Sequence, residues 1–263
     1  MRHVASAGYV STSFRTLPRF RLVRARSVDE AVTALGEAET PAVLAGGTDL
    51  PARFNEGFAP SDVVDLSRLD MLRQIDVREG ALHIGAAVTH SAGSTHPDVM
   101  RLIPGFAQAW ARIANIRIRL SATLGGNIMA RRTRYEGAII LAALDARLRF
   151  VSTAGDREML VKDFIQGAAI PRHALLTAII IPLRPGWRLD YDRSLRPIVT
   201  QAVSTNTAGY VTVVTATEHV MLRIETGTQL THHRFADPVT SDAYLNRVRA
   251  TLLTRQLQRL GAA

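Results

Sequence analysis

Two short stretches place glycines in pairs with polar side chains beside them. PAVLAGGTDL drives an apolar run, Pro41–Ala45, into Gly46-Gly47 and leaves through Thr48-Asp49. SATLGGNIM sets Thr123-Leu124 before Gly125-Gly126-Asn127. Consecutive glycines strip the screening side chains from the backbone, so neighbouring N–H groups can converge into an anion-binding concavity with a Thr hydroxyl as an extra donor. Two such turns on one domain could hold a diphosphate between them. Each pair reads equally as a tight turn at a strand end, and the residues alone leave both readings open.

Other familiar chemistries fail by inspection. No G-x-G-x-x-G follows a strand, and the single lysine, Lys162, lies in LVKDF, so neither a Rossmann fingerprint nor a P-loop is present. H-E-x-x-H and G-x-S-x-G are also absent. With no cysteine, the chain itself holds no disulfide, thiolate zinc site, nucleophilic thiol or iron–sulfur cluster. His83, His90, His96, His173, His219, His232 and His233 show no ligand spacing, and adjacent His232-His233 reads as a polar loop. No metal site, catalytic acid–base pair or nucleophile is expected.

The elements that must carry the glycine turns follow from periodicity. Ser27 is a candidate N-cap with Glu30 as capping-box partner, for a helix with Val28, Ala31, Val32 and Leu35 on one face and Gly36 as its stop. SDVVDLSRL and ALHIGAAVTH read as strands, with a turn at VREG before the second. Val99, Leu102, Phe106, Trp110 and Ile113 recur at helical spacing, interrupted at Pro104-Gly105; Phe106 and Trp110 are assigned to the core. AIILAALDA reads as a helix, RLRFVS as a strand, and ALLTAIIIPL as a buried strand stopped by Pro182 and Pro185. From Trp187 the texture becomes β-branched alternation, in PIVTQAV and GYVTVVTATEHVMLRIETG. A closing helix, started by Ser241, follows with Leu245, Val248, Leu252, Leu257 and Leu260 on one face. The boundary falls near Pro182–Trp187, giving an α+β protein in two parts.

The 263 residues, 47% hydrophobic and 21% charged, suit an ordinary globular core. No run of eighteen apolar residues exists and the N-terminus has no apolar signal core, so no membrane span and a cytoplasmic location are expected. The net charge of +9 is nearly all arginine, compatible with nucleic acid, an anionic cofactor, an acidic partner or GC-rich codon usage. Eight Phe, five Tyr and two Trp do not interleave with the arginines as a stacking groove would, which argues against nucleic acid. Residues 1–19 read as a basic tail.

VLAGGTDL, LHIGAAVTH and ATLGGNIM, in this order and spacing, resemble the FAD-binding (medium) subunit of the molybdenum hydroxylases, the xanthine dehydrogenase and carbon monoxide dehydrogenase flavoprotein type, from about Phe20 to Pro182. The resemblance implies a two-subdomain FAD-binding domain of the p-cresol methylhydroxylase/vanillyl-alcohol oxidase type over residues 20–183 and a small C-terminal α/β domain over 187–263. It implies that Ala45, Gly46, Gly47, Thr48 and Asp49 wrap the FAD diphosphate, that Thr123, Gly125, Gly126 and Asn127 form a second wall, and that Leu44 and Thr89 line the cleft. In MARRTRYEG the family's Asp position falls on Glu136, with Arg131, Arg132 and Arg134 facing the phosphates, an acidic partner or solvent. Arg193 falls where relatives carry a basic residue near the isoalloxazine, where a cation would favour reduced, anionic flavin. The part from Gly186 onward is short for the family.

The implied activity is that of an FAD-dependent oxidoreductase subunit. Substrate would be oxidised at a molybdenum cofactor on a large partner subunit, and electrons would pass through iron–sulfur clusters on a small one. FAD on this chain would then hand them to an external acceptor, in a heterotrimer or its dimer. The absence of cysteine agrees with that division of labour. Two rival readings remain: a self-sufficient FAD-dependent oxidase or dehydrogenase of the same superfold, and a flavin-free basic subunit with a structural or nucleic-acid-binding role.

Overall fold

The first unit is built from β1 (Arg21–Arg24), α1 (Val28–Glu37), β2 (Pro41–Leu44), α2 (Leu50–Asn55) and β3 (Asp62–Asp65). Its three strands are parallel in the order β1-β3-β2. The central strand is buried at all four positions, as a strand covered on both faces must be, and its terminal carboxylates are paired: Asp62 with Arg21, Asp65 with the Ser67 N–H. Ser27 caps α1 by accepting the Glu30 N–H at 3.0 Å. Glu30 accepts from Arg26 N–H at 2.8 Å, one residue before the reciprocal bond of a capping box. Gly36 is not the stop: α1 runs on through Glu37, and a Cβ there would meet nothing nearer than Thr153 at 3.6 Å. The computed structural model describes residues 17–132, 135–195, 198–217, 223–228 and 243–262. Arg134, His219, His232, His233, Ser241 and all of the basic tail before Leu17 lie outside the described residues.

The second unit opens with the hairpin β4 (Ile75–Arg78) and β5 (Ala81–Gly85). Its turn at Glu79-Gly80 has positive φ at both residues, 52° and 70°, the two-residue geometry that matches strand twist. The chain then leaves the sheet for six short helices: α3 (His90–Ser94), α4 (Pro97–Leu102), α5 (Pro104–Ala111), α6 (Ile116–Ser121), α7 (Leu124–Met129) and α8 (Gly137–Ala142). It returns as β6 (Arg147–Ser152), β7 (Gly155–Leu160), α9 (Val161–Ile165) and β8 (Leu175–Pro182), completing an antiparallel sheet in the order β4-β5-β8-β6-β7. The break at Pro104-Gly105 is real: Pro104 begins α5, where its missing N–H costs nothing. A Cβ at Gly105 would lie 2.1 Å from the Leu189 carbonyl oxygen, so this glycine lets the helix seat against a neighbouring backbone. Phe106 and Trp110 are fully buried and stacked at 5.0 Å, as core residues.

The third unit is an antiparallel sheet of β9 (Arg188–Arg193), β10 (Val199–Thr205), β11 (Val211–Thr217) and β12 (Arg223–Gly227), in the order β12-β11-β10-β9, closed by α10 (Ala243–Leu260). The sheet changes after Pro182, yet the core is continuous. Leu189, Tyr191, Ala202, Val214 and Ala216 belong to the same buried cluster as Leu82, Phe106, Trp110 and Ile179. On the opposite face, Leu253, Leu257 and Leu260 of α10 pack with Val203, Val211 and Val213.

Candidate functional site

The first glycine turn follows β2 and points into the space between the parallel unit and the helical insertion. A Cβ on Gly46 would lie 2.1 Å from the Ser121 carbonyl oxygen and 2.9 Å from Ala122 Cα. What comes close enough to exclude a side chain is therefore the chain itself, where α6 hands over to α7. Gly47 is a glycine for a different reason: its φ of +67° is left-handed. The N–H groups of Gly46, Gly47 and Thr48 and the Thr48 hydroxyl have no hydrogen-bond partner among the described residues. This turn thus offers a set of adjacent, unspent donors.

The second turn is constructed differently. Thr123 caps α7 by accepting the Gly126 N–H at 3.0 Å. The N–H groups of Leu124, Gly125 and Asn127 are taken by the carbonyls of Val88, Ala86 and Thr123. A Cβ on Gly125 would sit 2.5 Å from the Ala86 carbonyl oxygen, so this glycine too serves a backbone crossing. The two glycine pairs therefore differ: the N–H groups of the second are already bonded within the chain, and it meets the cleft as a wall. Asn127 ties that wall to α8 by accepting the Gly137 N–H at 3.1 Å.

Between the turns lies a cleft of about 520 Å³, in the range of small-molecule and cofactor sites. Ala45, Gly46, Gly47, Thr48, Asp49, Thr123, Gly125, Gly126, Asn127, Glu136 and Arg193 all line it, drawn from four separate parts of the chain. Leu44 and Thr89 are not among its lining residues. Leu44 packs with Ala42, Leu50 and Val63 behind the first turn. Thr89 bridges to Thr123 and caps α3 through the Ala92 N–H at 3.2 Å.

Apart from Arg53, the charged side chains that line the cleft are paired. Asp49 Oδ1 accepts from Arg132 Nε at 2.7 Å and from the Tyr135 hydroxyl at 2.9 Å, while Arg132 Nη2 grips both oxygens of Glu56 at 3.0 and 3.1 Å. The Asp49 carboxylate is thus spent on the opposite wall. Glu56 and Asp49 hold the Arg132 guanidinium above its ordinary pKa, and burial together with the Asp49 bond raises the Tyr135 phenol. Deeper in, buried Glu136 accepts from the Tyr191 hydroxyl at 2.6 Å and from Arg193 Nη1 on the same oxygen. Burial and the neighbouring carboxylate push the Tyr191 phenol up. Burial works against the Arg193 charge, yet Glu136 keeps it above its usual value. Arg193 lines the cleft as half of an ion pair with Glu136. Arg53, also lining the cleft, lies 3.9 Å over the Phe58 ring and pairs with no carboxylate among the described residues.

Sequence reasoning missed Tyr135, Tyr191, Arg53 and His90 as lining or supporting groups. Tyr191 had a signal: it lies two residues before Arg193 on one strand, hence on the same face. His90 had none, because its partner is Trp110, whose Nε1 donates to His90 Nδ1 at 2.7 Å from another helix.

A parallel three-stranded unit thus faces an antiparallel sheet and its helices across a donor-lined cleft of cofactor size. Residues 18–184 match the family model described as the FAD binding domain in molybdopterin dehydrogenase, and the chain belongs to that family. It is 31% identical over 162 residues to the nicotinate dehydrogenase FAD-subunit of Eubacterium barkeri, covering 60% of this chain and 55% of that protein. It is 29% identical over 176 residues to the nicotine 6-hydroxylase medium subunit of Paenarthrobacter nicotinovorans, covering 65% of this chain and 62% of the relative. The matched segment thus spans little more than half the length of these relatives. A chain of reconstituted CO dehydrogenase from Oligotropha carboxidovorans shares the fold, with a TM-score of 0.82 over 95% of this chain and 100% of that one, at 23% identity. The α+β fold of the FAD-binding subunits is therefore present.

Proposed function

We propose that this chain is the FAD-holding electron-transfer subunit of a molybdenum hydroxylase-type dehydrogenase. In this reading residues 20–183 hold the cofactor and residues 187–263 form a small domain that closes the cleft floor. A large partner carries the molybdenum cofactor, a small one carries iron–sulfur clusters, and electrons leave to an external acceptor from a complex in the cytoplasm. The observation that carries the reading is the turn of Gly46, Gly47 and Thr48, with its unspent N–H groups opening onto a 520 Å³ cleft.

FAD, when bound, supplies redox exchange between one-electron carriers and a two-electron acceptor. The chain's residues bind and orient it. The N–H groups of Gly46, Gly47 and Thr48 and the Thr48 hydroxyl hold diphosphate oxygens, with the Arg53 guanidinium as a counter-charge. Thr123, Gly125, Gly126 and Asn127 form the facing wall. Ala45 and Leu44 seat the first turn, Thr89 braces the second, and Asp49 ties the first turn across to Arg132. The Glu136–Arg193 pair presents a dipole toward the bound group and leaves little net charge there. Among the described residues no helix is long and apolar enough to cross a membrane.

The test is the visible spectrum of the purified chain with whatever copurifies, before and after heat release of the cofactor. Flavin bands, FAD and not FMN in the supernatant, and copurifying molybdenum and iron–sulfur proteins are expected. A folded, colourless protein that refuses added FAD overturns the reading. Flavin bleached by an organic substrate in the isolated chain would favour the self-sufficient oxidase.

A further inference from the structure

We propose that His90 is a cofactor-binding residue whose Nε2–H donates a hydrogen bond to an oxygen of the dinucleotide in the cleft, and that Trp110 is the positioning residue that makes it a donor. The proposal rests on the FAD reading above and assigns a contact that neither glycine turn provides.

The argument starts from Trp110. Its indole Nε1 is a donor only, so the His90 Nδ1 that receives it at 2.7 Å must be unprotonated. A neutral imidazole then has its one hydrogen on Nε2. The ring is 1% exposed in total, and its backbone N–H is fixed to the Ala122 carbonyl at 2.9 Å, beside the second glycine turn. Nε2 finds no partner among the described residues, yet His90 lines the cleft and Nε2 is not sealed off. His83 Nδ1, by contrast, is fully buried with none. The sequence makes room for this pair at a specific place: a Cβ on Gly93 would lie 1.8 Å from the Trp110 ring, so only glycine at that position lets the indole reach across α3. Trp110 is itself held by Phe106 stacked at 5.0 Å. Burial, with the nearby Arg119 charge, lowers the His90 pKa to about 4, so the neutral tautomer persists through the physiological range. A fixed, neutral, oriented donor facing the space where a polyanionic dinucleotide would lie is matched to an oxygen acceptor. A metal reading has no support, since no cluster of three or more potential ligands occurs among the described residues.

The test titrates the full, flavin-freed chain with FAD, following quenching of flavin fluorescence. His90→Leu is expected to weaken FAD binding about 5- to 30-fold while leaving the far-ultraviolet spectrum unchanged. His90→Gln, whose amide nitrogen reaches the place of Nε2, is expected to recover most of that loss. Trp110→Phe keeps an aromatic in the core but frees the tautomer, and an intermediate loss is expected. In parallel, the imidazole ¹⁵N–¹H signal of His90 in the wild type should report the Nε2–H tautomer, lose it in Trp110→Phe, and shift on FAD addition. A folded His90→Leu that binds FAD as the wild type does, or an Nε2–H signal that FAD leaves unmoved, overturns the proposal alone. Should His90→Leu not fold, His90→Gln and the wild-type signal decide. A wild-type chain that does not bind FAD overturns the cofactor reading, and this one with it.

Discussion

Gly36 and Gly46 are the same residue with opposite tolerances, and the difference lies only in what a Cβ would meet. At Gly36, inside the last turn of α1, the nearest atom is Thr153 Cγ2 at 3.6 Å, an ordinary contact. Gly36→Ala is expected to stabilise the protein by about 0.5–1 kcal/mol through helix propensity. At Gly46 the Ser121 carbonyl oxygen stands 2.1 Å away and is backbone, so it cannot swing aside. Gly46→Ala is expected to cost about 1–3 kcal/mol by overpacking and to lower FAD affinity as the turn shifts. Urea denaturation of the two variants side by side checks the signs. His90 makes a second residue-scale prediction. Its folded pKa of about 4 lies below the ordinary value of 6.5, so the unfolded chain binds the proton first. Stability from this group is complete above about pH 6.5 and is lost as pH falls toward 4, by about 3 kcal/mol in all. Unfolding free energies measured across pH 4–7 should slope down toward acid, and the slope should flatten in His90→Leu.

At the scale of elements, α10 separates what a pattern carries from what it hides. Leu245, Leu252, Leu257 and Leu260 are buried and Val248 is packed beside them, as helical spacing requires. Periodicity gave no sign that Arg249 and Gln256 are buried too, because polar residues at core-facing positions look like gaps in the stripe. Gln256 Nε2 donates to the carbonyls of Asp190 at 3.1 Å and Gln201 at 3.0 Å, joining α10 to β9 and β10. Gln256→Leu leaves both acceptors without that donor in the interior and is expected to cost about 1–3 kcal/mol, read from thermal or urea unfolding. The strand β7 was equally illegible: its first four residues are exposed and charged or small, the composition of a protected edge and not of a core strand.

Across the whole molecule, the two walls of the cleft are tied chiefly by Arg132, with Tyr135 beside it. Arg132 leaves the segment after α7 and holds Asp49 of the glycine turn and Glu56 at the end of α2. Its removal leaves Asp49 with the Tyr135 hydroxyl alone and loosens the tie between the walls. Arg132→Ala is therefore expected to weaken FAD binding about tenfold, chiefly through faster release, and Tyr135→Phe by less. Stopped-flow displacement of bound FAD would show it; an unchanged release rate would count against the tie.

Local pattern was enough for the two glycine turns, the main strands, the split between α4 and α5, and the family resemblance that joined them. These features depend on residues close in sequence, where backbone sterics and side-chain periodicity act directly. Only the tertiary structure decided why the glycines are there: two of the four make way for crossing backbones more than thirty residues away, and just one turn keeps its N–H groups free. It likewise decided that Asp49 faces Arg132, that Arg193 is neutralised by Glu136, and that Trp110 sets the tautomer of His90. Each of those outcomes is a pairing between groups brought together by packing, and a pairing has no signature in either partner's own neighbourhood.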